Sequence, residues 1–116
     1  MCYKYFPLYV SWDEARSKCK EHSPITTGDL ASVTDSATNQ FLRGILPANE
    51  YTWLGGFKKQ IWSWVGGTAW SSWNSGVEPA DGDGLETHLA TNNGIWSILY
   101  KNQEFGYVCS HKGKFN

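Results

Sequence analysis

The sequence predicts a single α+β domain, and three features predict it. Helix start signals occur only before Pro47, and short β-type runs separated by Gly, Asn and Pro clusters fill the remainder. Aromatic and glycine content is high, with seven Trp, six Tyr, five Phe and twelve Gly. A small β-rich fold uses such a composition to fill its core with a few large side chains between tight turns. The 116 residues make one domain, 1–116, whose core buries roughly two-thirds of the unfolded chain's surface.

Ser11-Trp-Asp-Glu14 is a capping box, in which the serine oxygen and the glutamate carboxylate satisfy backbone donors at a helix start. Trp12, Ala15 and Cys19 then share one face of that helix. Thr34-Asp35-Ser36 is the second start signal; Ala37, Phe41, Leu42 and Ile45 follow at helical spacing, and Pro47 supplies the stop. Beyond it, β-type runs are expected at residues 51–57, 61–65, 94–99 and 105–110. Between residues 66 and 94 regular structure is expected to be sparse. Trp70, Trp73 and Trp96 argue that this long stretch is packed, and an irregular stretch of that length in a compact domain usually serves function.

Ten basic residues stand against eleven acidic, for a formal net charge of −1. With no run of like charge, neither nucleic acid nor a membrane surface is an expected partner. Lys58, Lys59, Lys112 and Lys114 are too few and scattered for a phosphate-binding face. No apolar segment approaches the roughly 18 residues that cross a bilayer, so no membrane insertion is expected. Nothing resembles a signal peptide; in a secreted protein the targeting segment is expected to have been removed and Met1 to be an introduced start. His22, His88 and His111 lack metal-ligand spacing and are expected at the surface or in turns. Ser, His and Asp occur without any nucleophile-bearing turn motif, so no enzyme is expected. The tryptophans at 62, 64, 70 and 73 could form a stacking platform, but the alternation at 62 and 64 favours core.

Three cysteines allow at most one internal bridge, and their spacing does not choose among the three pairs. Cys19 on the apolar helix face and Cys109 at the end of the last aromatic strand make an attractive staple enclosing most of the chain, which would stabilise by a few kcal/mol if oxidised. The alternative is three buried free thiols.

Several segments together resemble the C-type lectin-like domains. They are Cys2-Tyr-Lys-Tyr-Phe, the stretch from Ser11 to Cys19, Leu30-Ala-Ser-Val33, Tyr51-Thr-Trp-Leu-Gly-Gly-Phe57, Trp62-Ser-Trp-Val-Gly-Gly67, Trp70, Trp73, Glu78-Pro79, Asn93-Gly-Ile-Trp96 and Tyr107-Val-Cys109. Their order and spacing carry the resemblance, which spans essentially the whole chain. It implies a double-loop fold with two helices flanking antiparallel sheets, a secreted or extracellular setting, and a Cys19–Cys109 disulfide. Cys2 looks like the second cysteine of the family's amino-terminal hairpin, its own pairing left open.

The departures from the family pattern bear on function. In sugar-binding members, calcium sits between a Glu-Pro-Asn or Gln-Pro-Asp triplet and a Trp-Asn-Asp triplet, and two sugar hydroxyls join the ion. Here the triplets read Glu78-Pro79-Ala80 and Trp96-Ser97-Ile98. Ala80 and Ile98 offer hydrocarbon to a cation that takes six to eight oxygen ligands, and Ser97 is a poor neutral substitute. The usual site is therefore expected to be crippled, with a further ligand position near Leu85 or Glu86 uncertain in register. Thr87 and Lys101 stand where the family's inner-loop cysteines would be, so the loop between Trp73 and Trp96 is expected to be more mobile or held by other contacts.

The stretch Gly-Val-Glu-Pro-Ala-Asp-Gly-Asp-Gly over residues 76–84 has three readings. Glu78, Asp81, Asp83 and Glu86 could converge on a relocated calcium ion. They could instead, with Asn93, accept hydrogen bonds directly from sugar hydroxyls while a Trp or Tyr ring packs on the sugar's apolar face. Or Asp and Gly simply satisfy turn geometry. Pro79 is a candidate cis residue by the same resemblance. The expected function is a carbohydrate-binding lectin module of innate-defence type with reduced or absent calcium dependence. The alternative is a protein-binding relative that has lost sugar binding. Either glycans or a protein ligand would be engaged through the long loop, with no cofactor required, calcium possible, and the oligomeric state unassigned.

Overall fold

The computed structural model describes residues 2–21, 28–58, 62–65, 86–100 and 102–111. Its elements run β1 (Cys2–Val10), α1 (Trp12–Glu21), β2 (Asp29–Leu30), α2 (Ser36–Ile45), β3 (Thr52–Lys58), β4 (Trp62–Trp64), β5 (Glu86–Asn92), β6 (Ile95–Tyr100) and β7 (Phe105–His111). One sheet joins all seven strands in the order β1-β7-β3-β5-β6, with β2 added to β7 and β4 to β3. Every pairing is antiparallel except β3 with β7, where Thr52 faces Gly106 and Trp53 faces Tyr107. The α+β architecture and the two early helices match the expectation.

Both helices start where their capping residues place them. The amide of Glu14 donates to Ser11 Oγ at 3.4 Å, and Trp12, Ala15 and Cys19 are the buried residues of α1. Asp35, in extended conformation, accepts from the amide of Thr38 at 2.7 Å. At the other end of α2, the Leu46 amide closes on the Leu42 carbonyl at 2.9 Å just before Pro47. The face of α2 differs from the expectation. Leu42 is buried, but Phe41 is 54% and Ile45 41% exposed. The apolar stripe is wider than the surface that receives it, and the Phe41 ring instead leans toward Tyr3 at 5.9 Å.

Successive side chains on a strand point to opposite faces, and this alternation divides the core in two. Trp53, Ala90, Tyr107 and Cys109 lie in the cluster that receives Trp12, Ala15 and Cys19 of α1. Leu54, Leu89 and Val108, their immediate neighbours in sequence, lie in the cluster with Leu42 of α2 and Trp64. The Cys19–Cys109 disulfide ties α1 to β7 as the resemblance implied, leaving Cys2 free and half-buried. At Gly55 the Ala31 carbonyl accepts from the amide at 2.9 Å. A Cβ there would lie 2.6 Å from Val65 Cγ2 and 3.0 Å from the Leu30 carbonyl, so only glycine lets these segments approach.

Three strands lie outside the expected runs. β1 carries Pro7, and its register with β7 shifts between Phe6 and Val10, a break that an edge strand tolerates. β2 is two residues long. β5 falls in the stretch expected to be irregular, because Leu89, Ala90 and Thr91 are buried consecutively. A strand covered on both faces shows no polar alternation, and its small residues resemble loop composition.

Candidate functional site

The β5–β6 hairpin carries Asn93, one of the sequence-predicted site residues. Its turn consists of Asn93 and Gly94, with φ of 54° and 80°, and Asn92 pairs with Ile95 on either side. Two consecutive left-handed residues give a turn whose twist matches that of the strands, which is why Asn-Gly suits this position. Gly94 is further constrained, because a Cβ there would meet Arg43 Cδ at 3.2 Å.

Helix α2 holds the hairpin through Asn39. Its Nδ2 donates to the Gly94 carbonyl at 3.1 Å, and its Oδ1 accepts from Trp96 Nε1 at 3.2 Å. The Trp96 ring meets Trp64 edge-on at 5.5 Å. A second tie joins the turn to the loop after α2. Asn93 Oδ1 accepts from the Asn49 amide at 3.4 Å, and Asn93 Nδ2 donates to Asn49 Oδ1 at 3.3 Å. Asn49 also has a positive φ, 63°, a conformation Asn tolerates better than most residues. No motif in the sequence singles out Asn39, and the only local signal at Asn49 is its place after Pro47-Ala48.

Glu78, Asp81 and Asp83 lie outside the described residues, as do Pro79, Ala80, Trp70, Trp73, His22, Lys59, Lys112 and Lys114. Glu86 opens β5 opposite Tyr100, so it stands on the sheet where the long loop returns. Asn93 is exposed at the hairpin tip. Trp64 is buried in the core, as its alternation suggested. The histidine expectation is corrected at two positions. His111 is only 4% exposed at the end of β7, and the ring of half-buried His88 on β5 lies 4.4 Å from that of Trp12. Strand pairing draws each inward, and local sequence carries no sign of that pairing.

Two positions that the resemblance assigns to the second calcium triplet lie on β6. Ser97 sits on β6 opposite Ala90, while Ile98, in the place of a carboxylate, packs against the cluster containing Leu42 and Leu89. Among the described residues no group of three His, Cys, Asp or Glu side chains could hold a metal. Exposed Tyr9 donates to Glu50 Oε1 at 2.7 Å. That bond, then desolvation and the carboxylate's charge, push its pKa up to about 12. Between β1 and α2, Cys2, Tyr3, Ala37, Thr38 and Phe41 line an open groove of about 530 Å³.

The Lectin C-type domain family matches residues 9–111. The chain is 28% identical over 120 residues to a snaclec coagulation factor IX/factor X-binding protein from Trimeresurus stejnegeri, covering 93% of this chain and 76% of that protein. Among solved structures it resembles the C-type lectin domain of murine dendritic cell inhibitory receptor 2 in complex with N-glycan, with a TM-score of 0.76, 20% identity, and 93% and 88% of the two chains covered. It also resembles a calcium-independent type II antifreeze protein, with a TM-score of 0.74, 18% identity, and 93% and 83% covered.

Proposed function

This chain belongs to the C-type lectin domain family, and from that premise we propose that it is a glycan-binding module that works without the family's calcium. The observation that carries the reading is Ile98. Its half-buried side chain packs against the core cluster around Leu42 and Leu89, where the family pattern of a calcium-binding member has a carboxylate. Ala80 removes the matching oxygen from the other triplet. The acidic residues Glu78, Asp81, Asp83 and Glu86 remain in or beside the long loop. As carboxylates they accept charge-assisted hydrogen bonds from sugar hydroxyls, roughly twice as strong as neutral ones. Asn93 at the adjoining turn adds an amide that is both donor and acceptor. A domain of the same fold in complex with N-glycan supports a glycan as ligand, and a calcium-independent protein of the same fold supports a domain without the ion. The Cys19–Cys109 bridge suits an oxidising compartment, which supports a secreted protein, with innate defence as its setting. No catalytic step is part of this proposal.

A protein ligand is the second reading. Ile95 at the tip of the hairpin is 71% exposed, an apolar contact of more use to a protein surface than to a sugar's hydroxyls, and the similar snaclec is named for binding coagulation factors. A glycan array probed with and without chelator separates the two. Hits that survive chelation are the expected result, and Glu78→Ala with Asp81→Ala should abolish them. An array empty under both conditions transfers the function to a protein partner, and hits that vanish with chelator overturn the calcium-free proposal.

A further inference from the structure

We propose that Asn93-Gly94 is a self-modifying site, at which the asparagine of the folded protein converts to aspartate and isoaspartate and so loosens the clamp that holds the β5–β6 hairpin to α2. Independently of the proposed function, the inference rests on how the fold presents this dipeptide. The reaction needs, next to the asparagine, a backbone amide whose own residue carries no side chain to hinder it, access for water and base, and an electrophilic side-chain carbonyl. Gly94 supplies the first, since its residue has no Cβ, and in a two-residue turn the ladder bonds belong to Asn92 and Ile95 and leave the Gly94 N–H outside. Asn93 is exposed. Its Oδ1 accepts from the Asn49 amide at 3.4 Å, which draws electron density from Cγ.

The atoms balance with water as the only co-reactant. The deprotonated Gly94 nitrogen attacks Asn93 Cγ, the Cγ–Nδ2 bond breaks, and the nitrogen leaves as ammonia after taking a proton from water. The resulting five-membered imide is opened by water at one of its two carbonyls. One opening gives aspartate; the other gives isoaspartate, whose main chain runs through the former side chain and is one carbon longer. The fold holds glycine at position 94. The turn demands left-handed residues at 93 and 94, and at 94 Arg43 Cδ and Asn39 Nδ2 would lie 3.2 and 3.4 Å from any Cβ.

Both products act on the same clamp. Aspartate has no Nδ2 to donate to Asn49 Oδ1, replacing the 3.3 Å bond with two facing acceptors. Isoaspartate lengthens a turn whose register is set by having two residues, shifting the Gly94 carbonyl away from Asn39 Nδ2 and so releasing the side chain whose Oδ1 accepts from the Trp96 indole.

The test ages the folded protein in mildly alkaline buffer, maps its peptides by mass spectrometry and labels isoaspartate with an isoaspartyl methyltransferase. Asn93 is expected to convert ahead of every other asparagine. In the isoaspartate-enriched fraction, the amides of residues 93–97 are expected to exchange hydrogen faster than in fresh protein. Asn93→Gly, which keeps a turn compatible with two positive φ angles, should fold and lose the modification. An unchanged Asn93 in folded protein over a period in which the denatured chain converts overturns the proposal. So does conversion that leaves exchange at 93–97 unaltered.

Discussion

The indole nitrogen of Trp12 donates to the carbonyl oxygen of Leu54 across 2.8 Å in the buried interior. This bond fixes the first turn of α1 to β3. Trp12→Phe keeps an aromatic ring but strands the Leu54 carbonyl away from water, so it is expected to cost about 2 kcal/mol or more. Chemical denaturation of the two proteins measures the difference; equal midpoints would show that the bond contributes nothing net.

The Cys19–Cys109 bridge spans a sequence separation of 90 residues. Closing so long a loop restricts the unfolded chain strongly, and replacing both cysteines by alanine is expected to lower stability by about 4–5 kcal/mol. Loss of a cooperative thermal transition near physiological temperature is the expected readout.

Tyr9 and Glu50 make stability sensitive to alkali. Because the folded phenol's pKa is raised from 10.0 to about 12, its contribution is complete below the unfolded value and disappears as pH climbs through the folded one. In an absorbance titration Tyr9→Phe should remove a phenolate that forms well above the ordinary tyrosine range. It should also flatten the decline in thermal stability over that window.

Asp35 has the opposite sign. Its hydrogen bond from the Thr38 amide, and then the Thr38 hydroxyl, hold the carboxyl below its ordinary 3.8. The contribution is present above that ordinary value and is lost as pH falls through the lower folded one. Asp35→Asn, which still offers a capping oxygen, is expected to flatten the acid limb of the stability profile while α2 persists in circular dichroism.

Ile98→Asp supplies the carboxylate that a calcium-binding relative carries. Because Ile98 packs against the cluster around Leu42 and Leu89, the change is expected to lower stability by about 2 kcal/mol or more. Calorimetry with calcium should still give no binding heat. A gain of calcium affinity without loss of stability would mean that β6 readily turns this side chain outward.

The sequence by itself determined the helix starts at Ser11 and Asp35, the buried trio Trp12, Ala15 and Cys19, and most of β3, β4, β6 and β7. These are properties of residue type, or of spacing within one or two turns, so no distant contact is needed to read them. Tertiary structure alone decided the rest. β1 reads poorly because Pro7 interrupts it, and it becomes a strand by pairing with β7 near the far end of the chain; β5 hides behind Leu89-Ala90-Thr91, whose burial on both faces erases any alternation. The same non-local pairing drew His111 inward, and the limited surface beneath α2 left Phe41 and Ile45 in solvent. It also set Asn49 against Asn93, 44 positions apart. Side chains that meet across a sheet or between a loop and a turn carry no common local signal, and only the folded chain brings them within hydrogen-bonding distance.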